Sequence, residues 1–167
     1  KEFKALGIKE ELIGALDKQG ITVPSMVQAD VIPLFLDGKD LIIQSETGSG
    51  KTLSYLLPIF SMVDTSLRST QFIILTPTHE LAVQVHKQAE FLTDNTDGSV
   101  RSALIIGGAN ISRQIDKLKE KPQIVIGSTG RILDLIKKKK ISLIIPCYNE
   151  EEVLGILHEE LKKVTGK

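Results

Sequence analysis

Apolar residues in this chain gather in short continuous runs, and the stretches between the runs carry apolar positions at helical spacing. The runs are "DLIIQS" (40–45), "QFIILTP" (71–77), "SALIIGG" (102–108), "QIVIGS" (123–128) and "SLIIP" (142–146). They are continuous rather than alternating, which is the pattern of strands buried on both faces. Helices are expected near 9–19, 25–36, 51–67, 79–93, 111–120, 130–139 and 150–164. Strands that alternate with helices predict an α/β fold of three layers, with a mostly parallel sheet between helices. In such sheets ligands bind at the carboxyl ends of the strands.

The 167 residues suit one domain with a single core. Lys and Arg number 21, as do Asp and Glu, so the formal charge is zero. Bulk charge therefore selects no partner, and any nucleic-acid surface has to be a local patch. No apolar run approaches the ~18 residues of a membrane span, and no leader pattern precedes the first helix. The chain begins at Lys1 rather than Met, as a processed or excised piece does. Its single cysteine, Cys147, has no internal disulfide partner, which fits a reducing, cytoplasmic setting.

Candidate chemistry begins at Ser45-Glu46-Thr47-Gly48-Ser49-Gly50-Lys51-Thr52. This loop follows an expected strand and opens an expected helix, the context that a phosphate-binding loop requires. Its glycines let the backbone turn so that N–H groups point at phosphate oxygens, and the helix start adds partial positive charge. Lys51 is expected to reach the β- and γ-phosphates, and the Thr52 hydroxyl to take one magnesium position. Ser45 stands where the general pattern has glycine. Upstream, in "GITVPSMVQ" (20–28), Ser25 reads as a helix cap, and Gln28 falls on the first turns of that helix. A glutamine amide can pair with the N6 and N7 edge of adenine. Taken alone, Gln28 reads as a surface residue and Phe3 as a core contact. With the loop beside them they become an adenine reader and a base-stacking ring.

These features together resemble the first RecA-like domain of the DEAD-box RNA helicases. Phe3, the segment ending at Gln28 and the 45–52 loop stand in the order of that family's motifs. "PTHELAVQV" (77–85) resembles motif Ia, with His79 in place of the usual arginine. Gly107-Gly108 matches the double-glycine motif, and "GSTGRILDLI" (127–136) resembles motif Ib, with Ser128-Thr129 in place of Thr-Pro. The resemblance covers about 1–138 and implies a RecA-like P-loop NTPase domain that uses ATP or ADP with magnesium. It also implies that Pro77, Thr78, Gly107, Gly108, Thr129, Gly130 and Arg131 hold the sugar-phosphate backbone of single-stranded RNA. Hydroxyls, bare N–H groups and the Arg131 fork suit that task, since backbone contacts position a strand without reading it. A neutral imidazole at His79 would lack the charge of the arginine it replaces. Read singly, Gly-Gly is a turn and Thr-Gly-Arg a helix start. Lys137–Lys140 reads either as a solvated helix end or as a phosphate-contacting patch.

The family's next element is a strand ending in Asp-Glu-Ala-Asp, whose acids hold magnesium through water and activate the attacking water. Here no aspartate follows Asp134. The run 142–146 leads into Cys147-Tyr148-Asn149, and Glu150, Glu151 and Glu152 read as helix-start residues after an Asn149 cap. The Ser-Ala-Thr motif and the second RecA-like domain are also missing from these residues. The expectation is nucleotide binding with little hydrolysis. The stretch 141–167 resembles the opening strand and helix of GT-A-fold glycosyltransferases, with Pro146, Tyr148, Asn149 and Glu150 at the positions that line a uridine pocket there. The chain thus divides into an incomplete helicase domain (1–140) and a foreign strand–helix unit (141–167) completing the same sheet. The family's Ser-Ala-Thr strand lies between the phosphate-loop strand and the acidic strand, so its loss predicts a rearranged sheet or a strand-exchanged homodimer. Two alternatives remain open: a recombined or engineered chimera without evolved activity, and a non-catalytic module that holds nucleotide or RNA.

Overall fold

The computed structural model describes residues 2–137. After a short 3-10 turn at Phe3–Leu6, the elements are α1 (Glu10–Lys18), α2 (Met26–Leu36), α3 (Lys51–Met62), β1 (Phe72–Thr76), α4 (His79–Asp94), β2 (Ser102–Ile105), α5 (Ile111–Lys119), β3 (Ile124–Ser128) and α6 (Thr129–Lys137). The sheet of described residues is parallel, in the order β1-β3-β2. β3 lies in the centre, and all five of its residues are buried.

Alternate residues of each strand point to opposite faces, and the two faces have separate cores. Ile124 and Ile126 pack with Phe72 and Ile74 into the larger core, beneath residues of α1, α3 and α4. Val125 and Ile73 face the other way, against Ile111, Ile115, Ile132 and Leu135 of α5 and α6. The expected three layers follow from the direction of the crossovers. The chain steps outward from β1 to β2 through α4, then back to β3 through α5. Reversing direction while keeping the right-handed crossover puts the second helix on the opposite face. At Gly127 the backbones come so close that a Cβ would lie 2.2 Å from the Ile105 carbonyl oxygen.

Two expectations change. Residues 40–45 form no strand, and Ile42 is fully exposed. A strand persists only through its ladder, and 40–45 is hydrogen-bonded to none of the three described strands. It lies instead along α2, where a groove of about 350 Å3 is lined by Val27, Val31, Leu34 and Ile42 among others. The helix expected over 51–67 ends at Met62. Just beyond it the Asp64 carboxylate accepts hydrogen bonds from the N–H and Oγ of Ser66 (2.9 and 2.6 Å). This local turn competes with further helix. The 142–146 strand, the 150–164 helix, and with them the expected rearrangement or strand exchange, lie outside the described residues.

His86 is buried on α4, with Nδ1 3.4 Å from a Glu90 carboxylate oxygen. Burial holds its imidazole below the usual 6.5; Lys117 acts in the same direction and Glu90 opposes. The folded chain therefore takes up this proton later than the unfolded chain as the pH falls. Its contribution is fully present above 6.5 and is lost below it. Resistance of wild type to urea should fall as the pH drops from about 6.5 to 5, above the range where carboxylates titrate. His86→Gln should flatten that slope, and equal slopes would refute the assignment.

Candidate nucleotide loop and nucleic-acid cleft

The 45–52 loop takes its shape from two glycines and a neighbouring helix. Gly48 and Gly50 have positive φ (82° and 94°), and Gly50 is the residue from which α3 starts. Ser45 and Ser49 join hydroxyls at 2.7 Å. The Lys51 ammonium folds back and donates to the carbonyls of Ser45 and Glu46. Its charge thus rests on the loop's own carbonyl dipoles, in the concavity where a phosphate would sit. Thr52 lies one helical turn from Tyr55, whose hydroxyl is pushed up by burial and pulled back by the neighbouring Thr52.

Gln28 ties this loop to α2. Ser25 caps the helix, accepting the Gln28 N–H, while Gln28 Oε1 accepts the Ser25 N–H at 2.9 Å. This reciprocal capping box satisfies two helix-start donors. The other end of the amide, Nε2, donates to the Gly50 carbonyl at 3.1 Å. Gln28 is 3% exposed, so it is a buried strut rather than a surface residue. Phe3 is 2% exposed in the larger core with Leu6, Ile8 and Leu12. The structure gives it the packing role it has when read alone and does not present its ring as an open stacking face.

Motifs from three strand ends meet elsewhere. Pro77, His79, Gly107, Ser128, Gly130, Arg131 and Asp134 line one cleft of about 490 Å3. The His79 ring lies over Gly107, where a Cβ would be 3.0 Å from its Cε1 and Nε2. The Thr78 hydroxyl caps α4 by accepting the Leu81 N–H. Thr129 Oγ1 donates to the Thr76 carbonyl at 3.3 Å. Gly108 turns with φ 76°, and Arg131 Nη2 reaches the Ala109 carbonyl at 3.4 Å. Sequence reasoning missed Thr76, which donates to the Thr78 carbonyl (2.9 Å), and Tyr55 beside Thr52. It also missed Gln114, buried beneath the double glycine. The available signal for Gln114 was its place on the apolar face of α5, three residues after Ile111 and four before Leu118.

The paired features define a class: a parallel α/β domain with a phosphate-type loop and a basic-and-glycine cleft at its strand ends. The chain belongs to the DEAD/DEAH box helicase family, whose model matches residues 25–147. It is 38% identical over 150 residues to the DEAD-box ATP-dependent RNA helicase CshC of Bacillus cereus, covering 90% of this chain and 36% of that protein. It is 40% identical over 142 residues to the ATP-dependent RNA helicase CshA of Listeria monocytogenes, covering 85% of this chain and 27% of that protein. The crystal structure of a DEAD box protein from the hyperthermophile Methanococcus jannaschii superposes with a TM-score of 0.78 at 38% identity, over 85% of this chain and 38% of that one. The chain therefore spans about a third of the length of these relatives. Nothing in these matches supports the glycosyltransferase resemblance of 141–167, which lies outside the described residues; the helicase family model continues to residue 147.

A double substitution tests the strut. In Gly50→Ala the new Cβ would meet Gln28 Nε2 at 2.5 Å in a left-handed backbone, at a cost of about 1–3 kcal/mol. Removing the obstacle with Gln28→Ala should make the second substitution cheaper, giving a coupling of at least ~0.5 kcal/mol in a thermal-unfolding cycle. Strict additivity would show that the two side chains do not meet.

Proposed function

We propose that this chain is the nucleotide-binding half of an ATP-dependent RNA helicase, with residues 1–140 as the binding domain and 141–167 as a strand–helix unit that completes its sheet. The 45–52 loop binds ATP or ADP, with Lys51 on the β- and γ-phosphates and loop N–H groups, from Glu46 to Gly50, on their oxygens. Lys51 exchanges two carbonyl dipoles for full negative charge, a gain that favours phosphate. Gln28 carries the adenine contact through the amide N–H and oxygen lone pair that its bonds to Gly50 and Ser25 leave over, and Phe3 supports that end of the pocket from the core. The observation that supports this reading is the Gln28 hydrogen bond to Gly50, which holds the 20–28 segment against the 45–52 loop.

Magnesium would arrive on the phosphates, with Thr52 as its protein ligand. The Thr52 hydroxyl, beside Tyr55, fits that role after turning. Among the described residues no cluster of acidic, His or Cys side chains offers further ligands. Within these 167 residues no Asp-Glu-Ala-Asp follows the last described helix. Positioning and charge stabilisation carry nearly all of phosphoryl transfer, so the chain binds nucleotide and turns it over little. Single-stranded RNA lies along the cleft, held at its backbone by the 77–78, 107–108 and 129–131 segments. The setting is cytoplasmic; among the described residues no helix is long and apolar enough to cross a membrane.

Calorimetric titration should show ADP binding with or without magnesium, weakened at least about tenfold by Lys51→Ala. Absence of ADP binding would sink the nucleotide reading. Steady-state, RNA-stimulated hydrolysis abolished by Lys51→Ala would sink the claim of low turnover.

The outer edge of β1 has no partner among the described residues, and neither does 40–45. Open edges beside apolar strands recruit other strands. We propose a strand-exchanged homodimer, which sedimentation should reveal as a concentration-dependent doubling of mass. A monomer at every concentration would refute the exchange.

A further inference from the structure

The double-glycine loop, Ile106–Ala109, runs from the end of β2 to the start of α5, and three side chains hold it. Asn110 caps α5, its Oδ1 accepting the N–H groups of Ser112 and Arg113. Arg131 reaches the Ala109 carbonyl from α6. The third is Gln114, on the buried side of α5, whose Nε2 donates to the Ile106 carbonyl at 2.8 Å. Gln114 is 5% exposed. Its Oε1 is buried and has no hydrogen-bond partner among the described residues.

A buried amide with one end unused calls for a reason, because native interiors leave few such atoms. An apolar residue of the same shape would fill the site without the orphan oxygen. What the glutamine adds is the single bond to the carbonyl immediately before Gly107. That bond fixes the plane of the Ile106–Gly107 peptide, and with it the direction of the Gly107 N–H. The same glycine lies under the His79 ring at the wall of the cleft.

We propose that Gln114 is a positioning residue for RNA binding: it touches no RNA and aims the Gly107–Gly108 backbone into the cleft. The unused Oε1 is the cost of having the donor there. This rests on the RNA-cleft reading above.

The test uses the full chain, a labelled oligouridylate and ADP. Gln114→Leu should weaken oligouridylate roughly fivefold to tenfold, as loss of one aligned contact does. ADP affinity should be unchanged and the melting temperature nearly so, because the orphan Oε1 leaves with the donor and the carbonyl of half-buried Ile106 can turn to water. Amide exchange at 107–110 should quicken without RNA present, while exchange at 45–50 stays as in wild type. Gln114→Glu gives a second route if the leucine variant does not fold. Its carboxylate has no proton for the Ile106 carbonyl, whereas the neutral acid has one. Its oligouridylate affinity relative to wild type should therefore recover as pH falls. A flat ratio with pH, or equal loss of RNA and ADP binding together with a lower melting temperature, would overturn the proposal in favour of a packing role. Unchanged exchange at 107–110 would overturn it too. If wild type itself fails to bind oligouridylate, the RNA-cleft reading falls and positioning for RNA falls with it, while faster exchange would still separate that failure from an error about the loop.

Discussion

Strand β3 is hydrogen-bonded on both edges in parallel register, to β1 from Phe72–Ile124 to Thr76–Ser128 and to β2 from Ser102–Ile124 to Ile105–Gly127. Because the ladders are parallel and nearly flush, all three strands end at the same level. The loops that follow must leave the sheet side by side. That is what brings Pro77, Gly107 and Ser128 to one cleft although they lie far apart in sequence. Gly127 serves the same constraint, since a side chain there would meet the Ile105 backbone and push β2 away from β3.

The phosphate loop depends on a different support. No described strand holds 40–45, so the loop's fixed points are the start of α3 and the Gln28 strut from α2. Gly50 is needed there twice, for its left-handed φ and because the Gln28 amide leaves no room for a Cβ. The short polar bonds within the loop, Ser45 to Ser49 and Lys51 to two carbonyls, replace the contacts that a bound phosphate would make. The loop therefore keeps its turned path through bonds of its own.

How much of this was legible depends on the range of the interaction that decides each feature. Helices α1, α2, α4 and α5 follow from apolar spacing, the last three also from side-chain caps at Ser25, Thr78 and Asn110, and their ends match the sequence reading closely. All three strands of the sheet were legible as continuous apolar runs, but only β3 is buried on both faces; β1 and β2 are partly buried, with Leu75 exposed. The run at 40–45 has the same appearance, yet pairing is a property of two segments, and composition cannot tell whether the partner is present. Gln28 looked like a surface residue because a lone glutamine usually is. Its burial comes from a carbonyl 22 residues away in sequence, at Gly50. The end of α3 was missed for a local reason, the Asp64–Ser66 turn, which a periodicity count does not weigh.

The cleft shows why the family's motifs are rich in glycine and threonine rather than in charge. The threonine hydroxyls are already engaged: Thr78 caps α4, Thr129 reaches Thr76, and Thr76 reaches back to Thr78. The Thr129 bond ties the end of β3 to the end of β1, and the other two fix the turn from β1 into α4. The rest of the cleft lining includes bare backbone at Gly107 and Gly130, the His79 ring, the Asp134 carboxyl and one guanidinium, Arg131, which is itself braced against Ala109. Under the proposed RNA reading, such backbone N–H groups and a single fork would position a phosphate backbone without reading its bases. Their accuracy then rests on residues that never face the ligand. The side chains most worth following are therefore the buried polar ones beneath the cleft, where a misplaced hydrogen bond would shift every donor above it.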